Sequence, residues 1–303
     1  MEMKKRMPGV IPPIDPALLA SIETKIQDVP YCTDSPSQVL DLYYPHEKSF
    51  RPYPVIVYFH GGGFEMGSKT DEDLEPMLRA LDRGYVLVSA EYRKSREAHF
   101  PAALYDAKAV IRFLKANAEK YQLDAERIGA WGPSAGGWIV GMLGTTAGNP
   151  AFEDLRMGNA GFDSSVHAVM DWCGPCGNFL DLDAQLAAMG LSGRRPHSGD
   201  DSPESKFLGA PVTSVPELCL LASPYRYAHK DVPPFYIVHG TGDTAVCVEQ
   251  SKVFYRALVE QAGEERVQIY LAEGMPHHGN PWYTEKSMTD RCMDFFDAAL
   301  NRR

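Results

Sequence analysis

The stretch from Ile128 to Thr145 limits what this chain can fold into more than any other. An apolar run of strand length, Ile128–Trp131, leads into Gly132-Pro133-Ser134-Ala135-Gly136, and a helical pattern over Ala135–Thr145 follows at once. A strand that becomes a helix within so few residues crowds its own backbone, which is why small residues flank the serine. The rest of the chain repeats the alternation. Strands are predicted at Val39–Tyr43, Val55–Phe59, Tyr85–Ala90, Arg127–Trp131, Val166–Asp171, Phe235–Val238 and Val267–Leu271. Helices are predicted between them, at Leu74–Arg83, Ala102–Lys120, Ala135–Thr145, Gln250–Ala262 and Lys286–Leu300. In the second helix Ala103, Ala107, Val110, Ile111 and Leu114 recur at helical spacing, so one face is apolar and packs on the sheet. Short apolar runs separated by longer amphipathic ones predict an α/β fold, a mostly parallel central sheet with helices on both faces.

The 303 residues are read as a single domain. The interval between the strands near Asp171 and Phe235 is far longer than an ordinary connection, and residues 172–232 are read as a cap inserted into that domain. Within it Leu182, Leu186 and Met189 suggest a short amphipathic helix. Ser202-Pro203-Glu204 has the cap-then-proline signature of another helix start. Residues 1–37 form a proline-rich N-terminal segment that could fold over the pocket.

A net charge of −10 disfavours nucleic acid and anionic membrane surfaces as partners. Lys4, Lys5 and Arg6 are followed by prolines rather than an apolar core, so no signal peptide is read, and no apolar run approaches the roughly 20 residues of a membrane span. Six cysteines at irregular spacing do not resemble a secreted disulfide framework. A soluble, cytoplasmic protein with reduced thiols is expected, and a homo-oligomer stays open.

Ser134 is the candidate nucleophile. At a strand-to-helix turn its hydroxyl projects above the sheet, and the helix start behind it favours developing negative charge. A second motif lies upstream, where the apolar strand Val55–Phe59 ends in His60-Gly61-Gly62-Gly63. Three consecutive glycines carry an entropic cost, so the bare backbone must be needed. The Gly61 and Gly62 amides, with that of Ala135, are predicted to form an oxyanion hole. His60 is read as a structural residue fixing this loop.

A serine needs a base to take its proton and a carboxylate to orient that base. Phe235–Val238 runs into His239-Gly240-Thr241-Gly242-Asp243, delivering Asp243 at a strand end as the candidate acid; His239 is read as structural. Val267–Leu271 runs into Glu273-Gly274-Met275-Pro276-His277-His278, delivering a histidine after the next strand. His277 is favoured as the base because two adjacent side chains cannot present the same geometry to Ser134, with His278 as the alternative.

Through these residues the chain resembles the carboxylesterase branch of the α/β-hydrolases that carries HGGG and GxSAGG, which includes hormone-sensitive-lipase-like, feruloyl and acetylxylan esterases. The likeness runs from about Gln38 to near the C-terminus, through Glu91-Tyr92-Arg93, Ile128–Gly137 and Ser202-Pro203-Glu204-Ser205. It implies an α/β-hydrolase fold, a small-molecule ester substrate with a short acyl or an aryl, cinnamoyl-type group, an acyl-enzyme, a cap that shapes the pocket, and no cofactor or metal. Pro133 departs from the pattern, standing where the family often has Asp, Glu or Ser. An amidase or peptidase would use the same triad.

Trp172-Cys173-Gly174-Pro175-Cys176 carries the C-x-x-C of a thioredoxin-like redox centre. Its surroundings are wrong for one, since it follows the strand near Asp171 at the cap entrance, where similar hydrolases run Asp, aromatic, small residue, Gly-Pro. A thiol-redox protein using Cys173 and Cys176, or a disulfide between them, is the remaining alternative. Trp172, Phe179, Phe207 and Tyr225 could stack on an aryl acyl group, although core packing accounts for them more simply.

Overall fold

The computed structural model describes residues 11–192, 195–278 and 285–301. Its strands are β1 (Lys25–Pro30), β2 (Val39–Tyr43), β3 (Tyr53–Phe59), β4 (Val86–Ala90), β5 (Leu123–Pro133), β6 (Ala168–Trp172), β7 (Phe235–Gly240) and β8 (Val267–Ala272). They form one sheet in the order β1-β2-β4-β3-β5-β6-β7-β8. β1 and β4 each pair antiparallel with β2, and every pairing from β4 across to β8 is parallel. This is the α/β-hydrolase arrangement, with helices on both faces.

The helices are α1 (Pro16–Ala20), α2 (Arg79–Asp82), α3 (Ala102–Ala116), α4 (Ala135–Thr145), α5 (Leu182–Ala188), α6 (Pro203–Leu208), α7 (Pro216–Leu221), α8 (Val248–Ala262) and α9 (Lys286–Leu300). β3 shows how the layers divide. Val55, Val57 and Phe59 enter the core beneath α3, α4 and α8, while Ile56 and Tyr58 enter the core beneath α2 and α9. A strand covered on both sides has no polar face, so its sequence reads as one apolar run. Each such side chain contributes about 1.5–3 kcal/mol by leaving water. The α3 residues Ala103, Ala107, Val110, Ile111 and Leu114 all lie in the first core.

Where the structure departs from the sequence expectation, local chemistry gives the reason. The helix expected over 74–83 is a 3₁₀ turn, Glu72–Leu78, followed by the single turn of α2, because Pro76 lacks an N–H and obstructs a continuous α-helix. β1 is an exposed edge strand in which Lys25, Gln27 and Asp28 interrupt any apolar run. β5 runs two residues past Trp131 and reaches the turn itself, with Pro133 opposite Trp172.

Between β6 and β7 the chain forms α5, α6, α7 and short 3₁₀ turns. Ser202 caps α6, its hydroxyl accepting from the Ser205 N–H at 3.1 Å with Pro203 at the first helical position. The indole N–H of Trp138 in α4 donates to Ala222 C=O at 2.6 Å, tying this interval to the sheet's covering helix. At the N-terminal end, Ile14 N–H donates to Thr70 C=O and Glu72 N–H to Pro12 C=O; residues 1–10 lie outside the described residues. No described helix is long and apolar enough to cross a membrane.

Candidate active site

Ser134 leaves β5 with φ 56° and ψ −121°, the residue immediately before α4. A non-glycine residue at positive φ stores about 1–3 kcal/mol, which the surroundings must offset. Two backbone bonds hold it there: Ser134 N–H donates to Trp172 C=O at 2.7 Å, and Trp138 N–H donates to Ser134 C=O at 3.1 Å. The turn is tight enough that a Cβ on Gly136 would lie 2.0 Å from Phe59 O, so α4 starts directly against the end of β3. Ser134 itself is half-buried and open to solvent.

The end of β3 supplies the second wall. His60 is buried, with Nδ1 2.7 Å from Gly61 O, Nε2 3.0 Å from a Glu91 carboxylate oxygen, and its ring stacked on Tyr92 at 4.4 Å. Burial alone would push Glu91 up, but His60 and Lys94 beside it hold its carboxyl at about 2. The loop beyond is thereby fixed from both sides. Gly62 has φ 104°, and a Cβ there would lie 2.4 Å from Met66 O, so only glycine fits the turn. Gly61 comes close to the serine turn, where a Cβ would sit 3.1 Å from Pro133 O. Gly61 and the residue before Ser134 are therefore adjacent in space although more than 70 residues separate them in sequence.

Asp243 follows β7 and is fully buried. Its Oδ1 accepts from the Ala245 and Val246 amides at 2.8 and 2.9 Å. Its Oδ2 accepts from His277 Nδ1 at 2.5 Å and from His239 Nε2 at 3.1 Å. Burial would raise this carboxyl, but His277 and His239 outweigh it and hold it well below the usual carboxylate range. With its other partner Val246 C=O at 3.0 Å, His239 Nε2 must carry the proton, and Nδ1 then accepts from the Ser251 hydroxyl at 2.7 Å. His239 is thus a direct support of Asp243. Its i, i+4 spacing from the acid was the available signal.

The two histidines face different acids. His277 bonds to Asp243 and keeps a side chain one-fifth exposed, while Nδ1 of His278 lies 3.3 Å from Oδ2 of the buried Asp73. The His278 ring is buried against the glycine loop, 3.4 Å from where a Gly61 Cβ would stand. Asp73 was not singled out from sequence, because an acid in a helix start reads as a solvated cap residue.

Cys173 and Cys176 are both buried free thiols. Cys173 follows β6 at φ 46° with its N–H donating to Val238 C=O at 2.8 Å, next to the backbone that holds Ser134. Burial pushes both thiols up, the reverse of what a redox-active thiol needs. Trp172, Phe179 and Phe207 are buried in the cores, Phe207 stacked on Phe64 at 3.9 Å, and Tyr225 is half-buried. Among the described residues one group has side-chain atoms close enough to share a metal ion, namely Cys173, Asp243 and His277.

The chain is 28% identical to the esterase LipC of Mycobacterium tuberculosis over 74% of this chain and 53% of LipC. It is 28% identical to the esterase LipQ of the same organism over 91% of this chain and 63% of LipQ. The chain thus spans between about half and two thirds of the length of these relatives. A solved truncated carbohydrate esterase from gut microbiota superposes with a TM-score of 0.80 at 26% identity, covering 93% of this chain and 98% of the other. The family model BD-FAE matches residues 40–258, well over half of the chain, including all of β3 to β7 and β2 but for its first residue. On that match, with the strand order and the serine turn it encloses, the chain belongs to the BD-FAE family of α/β-hydrolase proteins.

Proposed function

We propose that the protein is a serine esterase that hydrolyses carboxylic esters through an acyl-enzyme. The observation that carries this reading is the strained turn holding Ser134 at the end of β5, in a sheet whose next strand ends deliver a bonded Asp243–His277 pair. In the proposed reaction His277 takes the Ser134 proton as Oγ attacks the ester carbonyl, and Asp243 holds the imidazole. The Gly61, Gly62 and Ala135 amides donate to the oxyanion. His277 then returns its proton to the leaving alcohol, and water repeats the sequence on the acyl-enzyme.

The relatives' names, two esterases and a carbohydrate esterase, support ester rather than amide substrates. We favour a short acyl group. Phe64, which follows the glycine loop, forms an aromatic cluster with Phe100, Trp138 and Phe207, so these rings are engaged with one another rather than left to stack on an aryl acid. Residues 172–232 are proposed as the cap, with Pro203 against Gly63 of the loop. Residues 11–37 of the N-terminal segment are proposed to border the same opening, and the irregularly spaced free cysteines fit a cytoplasmic location.

The test is hydrolysis of p-nitrophenyl esters from acetate to decanoate, with methyl ferulate alongside, by the native protein and by Ser134→Ala. Activity greatest on the shortest esters and lowered by about 10⁴ to 10⁶ in the variant is expected. A loss below about tenfold would remove Ser134 from the chemistry.

A further inference from the structure

The thiol beside the candidate base is left without a task by ester hydrolysis. Cys173 Sγ, a ring nitrogen of His277 and a carboxylate oxygen of Asp243 all lie within 4.8 Å of one another. They come from the ends of three neighbouring strands, β6, β7 and β8, and the site opens to solvent on the His277 side, where that side chain is one-fifth exposed. We propose that these three side chains bind one thiophilic divalent cation, zinc or cadmium, and that the bound ion switches the enzyme off by occupying its base. The inhibitory half of this proposal rests on the esterase reading above; the binding half does not.

Three physical points carry it. Around a tetrahedral zinc, ligand bonds of about 2.0–2.3 Å put sulfur, nitrogen and oxygen roughly 3–4 Å apart, so the present atoms need to move by only about 1 Å. A thiolate, a neutral imidazole and a carboxylate carry two negative charges, which a divalent ion neutralises within a buried site. The carboxylate is also prepared for the exchange. Asp243 stays anchored through Oδ1 to the Ala245 and Val246 amides, leaving Oδ2 to trade its His277 proton for the metal. On binding, the Cys173 proton passes to solvent, the neutral His277 imidazole keeps its one proton on the ring nitrogen that does not meet the metal, and water takes the fourth position. A metal-bound His277 can no longer accept the proton of Ser134.

Cadmium reports thiolate ligation directly, through its ultraviolet ligand-to-metal charge-transfer absorption. After chelator treatment, a cadmium chloride titration of native protein should produce this band at a single equivalent, and Ser134→Ala should reproduce it. Cys173→Ser, which keeps the side chain's size, and Cys173→Ala should both lose it. In parallel, zinc chloride should inhibit p-nitrophenyl acetate hydrolysis, with recovery on adding EDTA. Each Cys173 variant, measured against its own metal-free rate, should need at least about tenfold more zinc, since a ligand has been removed. A band that persists in both variants, a band absent from the native protein, or equal zinc sensitivity in all three would overturn the proposal. Should the native protein hydrolyse no ester, the esterase reading fails while the cadmium band still decides the binding site.

Discussion

A histidine works as a general base only while the nitrogen facing the nucleophile is unprotonated. Burial acts to lower His277, but the Asp243 carboxylate outweighs it and carries the imidazole up to about 9. The expected consequence is an alkaline profile, with kcat/KM climbing up to pH about 9 and losing about tenfold per unit below that. A pH–rate profile of the native protein checks it. Asp243→Asn removes the charge that holds the proton, so the acid limb should move toward the ordinary histidine value of about 6.5 while kcat falls by about 10⁴. The same shift has a stability counterpart. Because His277 binds its proton more tightly when folded, this contribution is complete below about pH 6.5 and is lost as pH rises through about 9. The neighbouring pair separates by size of effect. His277→Ala should cost about 10⁴ to 10⁶ in kcat, whereas His278→Asn, which only loosens the packing on Gly61 against Asp73, should cost about 10²-fold or less.

At the scale of elements, the site depends on how closely α4 approaches the end of β3. Gly136→Ala would put a methyl group 2.0 Å from Phe59 O, a contact that only backbone movement can relieve. The expected outcome is a loss of about 1–3 kcal/mol or more in urea unfolding, with a drop in activity, because the serine turn and the glycine loop would be forced apart. The same packing explains the limits of pattern reading. An apolar run identifies β3 whichever face each residue meets, but the exposed edge strand β1 has no such run and becomes a strand only through its pairing with β2. Pro76 sits in an otherwise helical pattern and splits it into a 3₁₀ turn and the short α2.

At the scale of the whole molecule, a buried charge cluster fastens the covering layer. Lys108 and Arg112 of α3 are fully buried and both pair with Glu153, at 3.0 and 2.5 Å, in the loop that follows α4. Lys108 also donates to Thr146 C=O at the end of α4. Glu153→Ala would leave two buried cations without their counter-charge, and a loss of about 3–5 kcal/mol is expected, read as a lower denaturation midpoint. Catalytic parameters of the protein that remains folded should hold, since the cluster lies near the far end of α4 from Ser134.

Local sequence determined the parts that depend on neighbouring residues in the chain. Strand, small-residue turn and helix around Ser134, the glycine loop after β3, and the placement of Asp243 and a histidine at strand ends all follow from patterns a few residues long. Composition and spacing likewise carried the alternation that predicts the parallel sheet. Only the tertiary structure decided partnerships between distant segments. His277 meets Asp243 while His278 meets Asp73, His239 shares Asp243, and Cys173 stands beside His277, because strand order brings the ends of β6, β7 and β8 together. Two adjacent histidines are nearly equivalent in sequence; which carboxylate each one reaches is fixed by packing across residues far apart in the chain.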